Sequence, residues 1–217
     1  MYYKDFQHVY RVPALDALPW LVHGFGTHLS GIPSELSSLA TLKQIHSANI
    51  VAAVGRSGEL GFGDALLEDQ PGHAVAVKTA DCIPILLVDE RNRAVAAVHA
   101  GWRGTVQRIA ARAIDAMHRE FGTQPEDLHA AIGPGIGKCC YEVGPEVAEQ
   151  FSVAGRAHID LAGTNRHQLI ECGVVTERVY LANLCTMCGG AQFDSFRRDR
   201  EAAGRMYSFA GIRQGVE

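Results

Sequence analysis

Two runs in the middle of the chain, CIPILLV at residues 82–88 and AVAAV at residues 94–98, place apolar side chains at successive positions instead of alternate ones. Neighbouring side chains of a strand point to opposite faces, so runs of this kind need apolar cover on both. A water-facing sandwich sheet is thereby excluded, and flanking helices are expected. The polar link DERNR, residues 89–93, is short enough to join the two runs as an antiparallel hairpin. Pairing residue 88 with residue 94 puts Cys82 opposite residue 100, one step from His99. Other strand signals lie at 20–25, 50–54, 73–79, 128–132, 178–181 and 206–212.

Helical periodicity is clearest from Thr105 to Phe121. Val106, Ile109, Ala110, Ala113, Ile114, Met117 and Phe121 form an apolar stripe opposite Arg108, Arg112, Asp115 and Arg119. Shorter helices are predicted at 145–151, where Pro145 suits a first turn, and at 163–172, where the pattern is weak. The alternation describes a mixed α/β fold.

The 217 residues suffice for one well-buried core, and no repeat or charged linker divides them. One domain over residues 1–217 is expected. Twenty Lys plus Arg against 24 Asp plus Glu leave a net charge of -4, without the basic field that holds a nucleic-acid backbone. The apolar stretch around 80–88 is broken by Asp81 and Pro84 and falls short of a membrane span, and residues 1–10 lack the core of a signal peptide. A soluble cytoplasmic protein with neither nucleic-acid nor membrane partners is expected. In a domain of this size the six cysteines are read as free thiols or metal ligands rather than a disulfide framework.

The hairpin brings a thiol and an imidazole to the open end of two core strands, an arrangement suited to a metal or to covalent chemistry. A buried cysteine beside a hydrogen-bonded histidine is the plain structural alternative. His99 opens HAGWRGT, in which glycines allow close backbone approach and Thr105 is expected to cap the helix. Arg103, beside the amides of that helix start, is a candidate anion clamp.

The strings KQIHSANIV, KTADCIPILLVD, AVHAGWRGT, AIGPGIGKCCYEVGPEV and FDSFRRD, the last followed by GRM, occur in this order between residues 42 and 212. Together they resemble the family once called multicopper polyphenol oxidases or laccase-domain proteins. Its members are now described as zinc-containing purine nucleoside phosphorylases, with one bacterial branch described as a peptidoglycan editing factor. The resemblance implies a three-layer α/β/α domain with a mixed sheet. It also implies that His46, Cys82 and His99 bind one zinc ion, leaving a tetrahedral position open. The implied reaction is phosphorolysis of adenosine, inosine, guanosine and methylthioadenosine to base and sugar 1-phosphate, with adenosine deamination in the same pocket. Asp81 is assigned as proton relay or as a group orienting a zinc ligand, and Arg103 as the phosphate clamp. Gln44, Arg103, Arg197, Arg198 and Cys140 are the candidate substrate contacts. One of Arg197 and Arg198 is expected in an ion pair with Asp199 or Asp194.

Two departures stand out. The family's N-terminal glycine-rich signature is followed by a longer segment than the one here, where HGFGTHLSGIP runs almost directly into QIH. His28 also occupies the position of that signature's usual arginine.

Rival readings are a hydrolase acting on peptidoglycan precursors, or one using Cys82 as nucleophile and His99 as base without metal. A copper-dependent phenol oxidase is a further rival, with copper in place of zinc, although only three candidate ligands are evident where multicopper chemistry needs many histidines. A non-catalytic metal-binding protein is the last. His118 and Glu120 with the C-x-x-C of Cys185 and Cys188 superficially resemble a nucleobase deaminase signature, but Leu184 replaces its proline. Cys185 and Cys188 are read as packing residues, with a second metal or a redox role as the alternative that an isolated C-x-x-C signals only weakly, and GPGIGK as a turn in the pocket wall, with Lys138, Cys140 and Tyr141 as candidates to face the pocket.

Overall fold

The structure is a computed structural model describing residues 1–32, 36 and 38–216. Residues 33–35 and 37, in the segment read from the sequence as shortened, therefore lie outside the described residues.

The hairpin forms as Ile83–Asp89 and Ala94–Ala100. Asp89 belongs to the first strand and closes the turn, with its Oδ1 accepting from the backbone N–H groups of Arg91 (3.0 Å) and Asn92 (2.9 Å). The turn consequently shifts the expected register by one residue. His99 pairs with Pro84 and Ala100 with Ile83, so the position facing Cys82 falls to Gly101 instead of residue 100.

This hairpin is the centre of a mixed six-stranded sheet in the order Val179–Leu181, Leu128–Ile132, Ile83–Asp89, Ala94–Ala100, Ala65–Glu68 and Ile50–Ala52. A mixed seven-stranded sheet packs against it, with Met206–Ile212 and His73–Thr79 at its middle. Alternation along the central strands explains why both of their faces are apolar. Ile83, Ile85 and Leu87 join Ala94, Ala96 and Val98 in a core beneath the helices. Leu86 and Val88, with Val95 and Ala97, face the second sheet instead. The α/β fold with mixed sheets in one domain is as expected, and both faces of the central sheet are covered. On one of those faces the cover is a second sheet, where an α/β/α order places helices.

The stripe from Thr105 to Phe121 is divided into Trp102–Val106 and Ile109–Phe121 by Arg108 in the left-handed region, at φ 59°. The break has a tertiary cause. Asn165 and Gln168, from the helix Leu161–Glu171, donate to the Thr105 hydroxyl (2.9 Å) and carbonyl (3.0 Å). Thr105 is therefore tied sideways and does not cap the following helix; the short helix begins instead after Gly101. The same contacts explain the weak pattern at 163–172, since that helix buries polar Asn165 and Gln168.

Candidate functional site

Cys82 stands at the entry to Ile83–Asp89, His99 near the end of the paired strand, and His46 in the loop after Ser38–Lys43. One ligand atom from each lies within 4.8 Å of the other two. The His46 and His99 rings meet edge to face with centroids 5.0 Å apart. Gly101 makes this convergence possible, because a Cβ there would lie 3.0 Å from Cys82 Sγ and 3.3 Å from His46 Cδ2.

Asp64, which the sequence reading missed, organises the group. Its carboxylate is fully buried, and Oδ1 accepts from His99 Nδ1 at 2.8 Å and from the His46 N–H at 3.0 Å. Oδ2 accepts from both the N–H and the hydroxyl of Ser47 at 2.6 Å. Burial opposes ionisation of Asp64, but the His99 ring and Ser47 outweigh it and hold the group down at about 2. With Nδ1 donating to Asp64, His99 presents Nε2 as the free donor atom. Burial likewise opposes the Cys82 thiolate, yet the neighbouring rings of His46 and His99 outweigh it and lower its pKa to about 6. His46 and Asp81 both adopt left-handed backbone angles, φ 57° and 86°. Such strain persists where surrounding contacts over-determine it, here the carboxylate of Asp64 behind His46 and the fixed carboxylate of Asp81 itself.

The triad opens on a cavity of about 490 Å³. Leu42, Ile136 and Phe196 give it apolar wall, while Lys43, Lys78, Arg197 and Arg205 bring positive charge. Gln44 lines it, but its amide is committed to the backbone of Lys78, donating at 2.8 Å and accepting at 2.7 Å. Tyr141 also lines it, with the Arg197 guanidinium 5.3 Å from its ring centre. Burial, reinforced by Cys82, pushes the Tyr141 phenol up to about 12, so it keeps its proton.

Both oxygens of Asp81 are directed to the C-terminal segment. Oδ1 accepts from Thr186 Oγ1 at 2.6 Å, and Oδ2 from the Arg197 N–H at 2.6 Å and Ser195 Oγ at 3.1 Å. Arg198 is held by Asp199 and by the Phe193 carbonyl, leaving Arg197 as the member of the pair that lines the cavity. Arg103 is exposed and stacks on Trp102, 4.2 Å from the ring centre, beside the cavity rather than among its lining residues. His28 is exposed and is not among them either.

Cys140 is not among the residues that line the cavity. Its sulfur lies 3.3 Å from that of Cys188, in a group with Cys139 and Cys185 outside the cavity. Lys138 is likewise absent from the cavity lining. His118 Nδ1 pairs with the Thr123 carbonyl at the end of its helix and has no part in the site. Asp64 and Arg205 left little trace in the sequence: the first is one acid before an apolar strand, the second one surface-type cation before another.

Fold and site together define a mixed α/β protein with a metal-capable His–Cys–His group open to a basic-rimmed cavity. The family model described as multi-copper polyphenol oxidoreductase laccase matches residues 28–213, and the chain belongs to that family. A Deinococcus radiodurans protein named purine nucleoside phosphorylase is 42% identical over 185 residues, spanning 80% of this chain and 70% of its own. Adenosine deaminase RL5, from an unknown prokaryotic organism, is 36% identical over 201 residues, spanning 82% of this chain and 76% of its own. The crystal structure of YlmD from Geobacillus stearothermophilus matches with a TM-score of 0.88 at 27% identity, covering 98% of this chain and 99% of that one. Among the described residues, no helix is long and apolar enough to cross a membrane.

Proposed function

We propose that the chain is a zinc-dependent purine nucleoside phosphorylase, transferring the glycosyl group of a purine nucleoside to phosphate, with adenosine deamination as a second activity of the same cavity. The observation that carries this reading is the convergence of His46, Cys82 and His99 on a cavity that combines apolar wall with four cations, Lys43, Lys78, Arg197 and Arg205, against the two carboxylates Glu59 and Asp81. Relatives named for each of the two activities support it.

Two imidazoles and a thiolate suit zinc, and Asp64 behind His99 is the kind of partner that orients such a ligand. The small number of histidines at the group argues for zinc over a multicopper centre. When bound, the ion supplies Lewis acidity and positive charge at the cavity floor. The chain's own residues supply the rest. Leu42, Ile136 and Phe196 offer apolar surface to a purine, and Lys78, Arg197 and Arg205 offer cations to phosphate. In phosphorolysis a phosphate oxygen bonds to the anomeric carbon as the bond from that carbon to the purine nitrogen breaks. The electron pair leaves with the base, which takes up a proton.

Tyr141, which lines the cavity and keeps its proton, is assigned as a hydrogen-bond donor to bound substrate. Asp81, engaged by three donors that include the Arg197 N–H, is assigned to positioning Arg197 rather than to relaying protons. Arg103 serves as an outer cation that draws phosphate toward the opening. Purine nucleoside and phosphate are thus the proposed small-molecule partners, and a reducing cytoplasm suits the six free cysteines.

The test is incubation of metal-defined protein with adenosine, inosine and methylthioadenosine, with and without phosphate, following free base and ammonia. Base release that requires phosphate is expected. Zinc-loaded protein that transforms none of the three nucleosides would overturn the reading.

A further inference from the structure

We propose that Cys139, Cys140, Cys185 and Cys188 form a second metal site, a tetrathiolate centre for a closed-shell divalent cation such as zinc, which clamps together two segments that build the cavity wall. The four sulfurs lie within 4.8 Å of one another, drawn from two loops 45 residues apart in sequence between Cys140 and Cys185. Four thiolates about 2.3 Å from a tetrahedral ion stand about 3.8 Å from each other. Cys188 Sγ stands 3.3 Å from Cys140 Sγ and 3.6 Å from Cys139 Sγ, close to that spacing. One sulfur facing two others is the arrangement of a shared ion, whereas a disulfide joins two sulfurs and leaves the rest unused.

The backbone is shaped for the same purpose. Cys185 and Cys188 belong to the string CTMCGG, a C-x-x-C followed by glycine. The Gly137 N–H donates to Cys185 Sγ at 3.2 Å. Amide donors of this kind hold a sulfur in its charged form and orient it as a ligand. A Cβ at Gly137 would meet Cys185 Cβ at 3.1 Å, Cys139 Sγ at 3.2 Å and Cys185 Sγ at 3.5 Å, so the turn needs glycine for the sulfurs to assemble. Cys139 and Cys188 are exposed, which gives an ion a path of entry.

Four protein sulfurs leave no coordination position for substrate, so this centre is structural. Its place in the fold indicates what it holds. Cys139 and Cys140 immediately precede Tyr141, while Thr186, between the other two cysteines, donates to Asp81 at 2.6 Å. Closing the cluster therefore fixes the loop bearing Tyr141 against the segment that leads to Arg197. Binding displaces the remaining thiol protons to solvent.

This site is independent of the chemistry assigned to the cavity, and its test is metal content in the full chain. Zinc-saturated, desalted protein is expected to carry two equivalents, Cys82→Ser to keep one, and Cys188→Ser to lose one. Cobalt added to metal-free Cys82→Ser should give an intense thiolate-to-cobalt charge-transfer band and the visible spectrum of a tetrahedral ion. In the unmutated chain, zinc should protect Cys139, Cys140, Cys185 and Cys188 from alkylation, a readout that does not require the Cys188 variant to fold. The proposal is overturned if Cys82→Ser binds neither ion, if zinc leaves alkylation of these four unchanged, or if mass mapping of freshly purified protein finds them in disulfides.

Discussion

The carboxylate of Asp64 reaches two parts of the candidate site at once, the ring of His99 and the backbone of the loop carrying His46. Asp64→Asn keeps the shape but replaces one acceptor oxygen with an N–H2 donor that faces existing donors. Metal affinity at the His–Cys–His group is expected to fall about 10–100-fold, as it does when such supporting partners are removed. Competition against a chelating dye, in protein with Cys139 and Cys188 replaced by Ser, isolates this site; unchanged affinity there would remove Asp64 from its supporting role. None of this was readable from the residue alone, because an acid preceding an apolar run carries no mark of the ring it will meet. Cys82 and His99 were readable, since a short polar turn between two apolar runs fixes which residues face one another to within one position.

At the scale of elements, the helix Ile109–Phe121 shows where local pattern suffices. Its buried stripe includes Ile109, Ala110, Ala113, Ile114 and Met117, all positions at helical spacing. Met117 is fully buried against the six-stranded sheet's core, so Met117→Ala is expected to cost about 2–5 kcal/mol, while Glu120→Ala on the exposed side stays within about 0.5 kcal/mol. Denaturant unfolding of the two variants checks this, and equal losses would contradict the assigned face. The beginning of the same stripe shows where pattern fails. Thr105 and Val106 satisfy the helical period, but Asn165 and Gln168 hold the hydroxyl and carbonyl of Thr105 from another element, and the helix breaks at Arg108. The four-cysteine cluster failed to register for a similar reason, because a C-x-x-C and an adjacent pair of cysteines acquire meaning only when their loops meet.

For the whole molecule, His23 links the stability of the seven-stranded sheet to pH. It is buried in the strand Leu21–Phe25, and its Nε2 accepts from the Val12 N–H at 3.0 Å, which leaves the ring proton on Nδ1. Asp16 is 3.9 Å from Nδ1 and partly exposed, too weak a partner to offset burial. Burial, helped by Arg11 and Arg213, depresses the His23 pKa from 6.5 to about 3. As pH falls, the unfolded chain takes up this proton first. The contribution is thus complete above about 6.5 and declines toward pH 3, by up to about 1.4 kcal/mol per pH unit. Urea unfolding at pH 7, 5.5 and 4.5 should show the decline, and His23→Gln, which still accepts from Val12, should reduce its slope. An identical slope in the variant would show that other groups carry the acid sensitivity.

The order of apolar and polar residues by itself determined the mixed α/β class, most of the central strands, the main helix and the proximity of Cys82 to His99. These follow from short-range periodicity and one tight turn, which operate within a few residues of chain. Only tertiary structure decided that a second sheet covers the central one, that Asp64 stands behind the histidines, that Arg197 rather than Arg198 reaches the cavity, and that four cysteines share one corner. Each depends on which distant segments pack together, and the apolar surfaces that drive packing are too alike in sequence to name their partners.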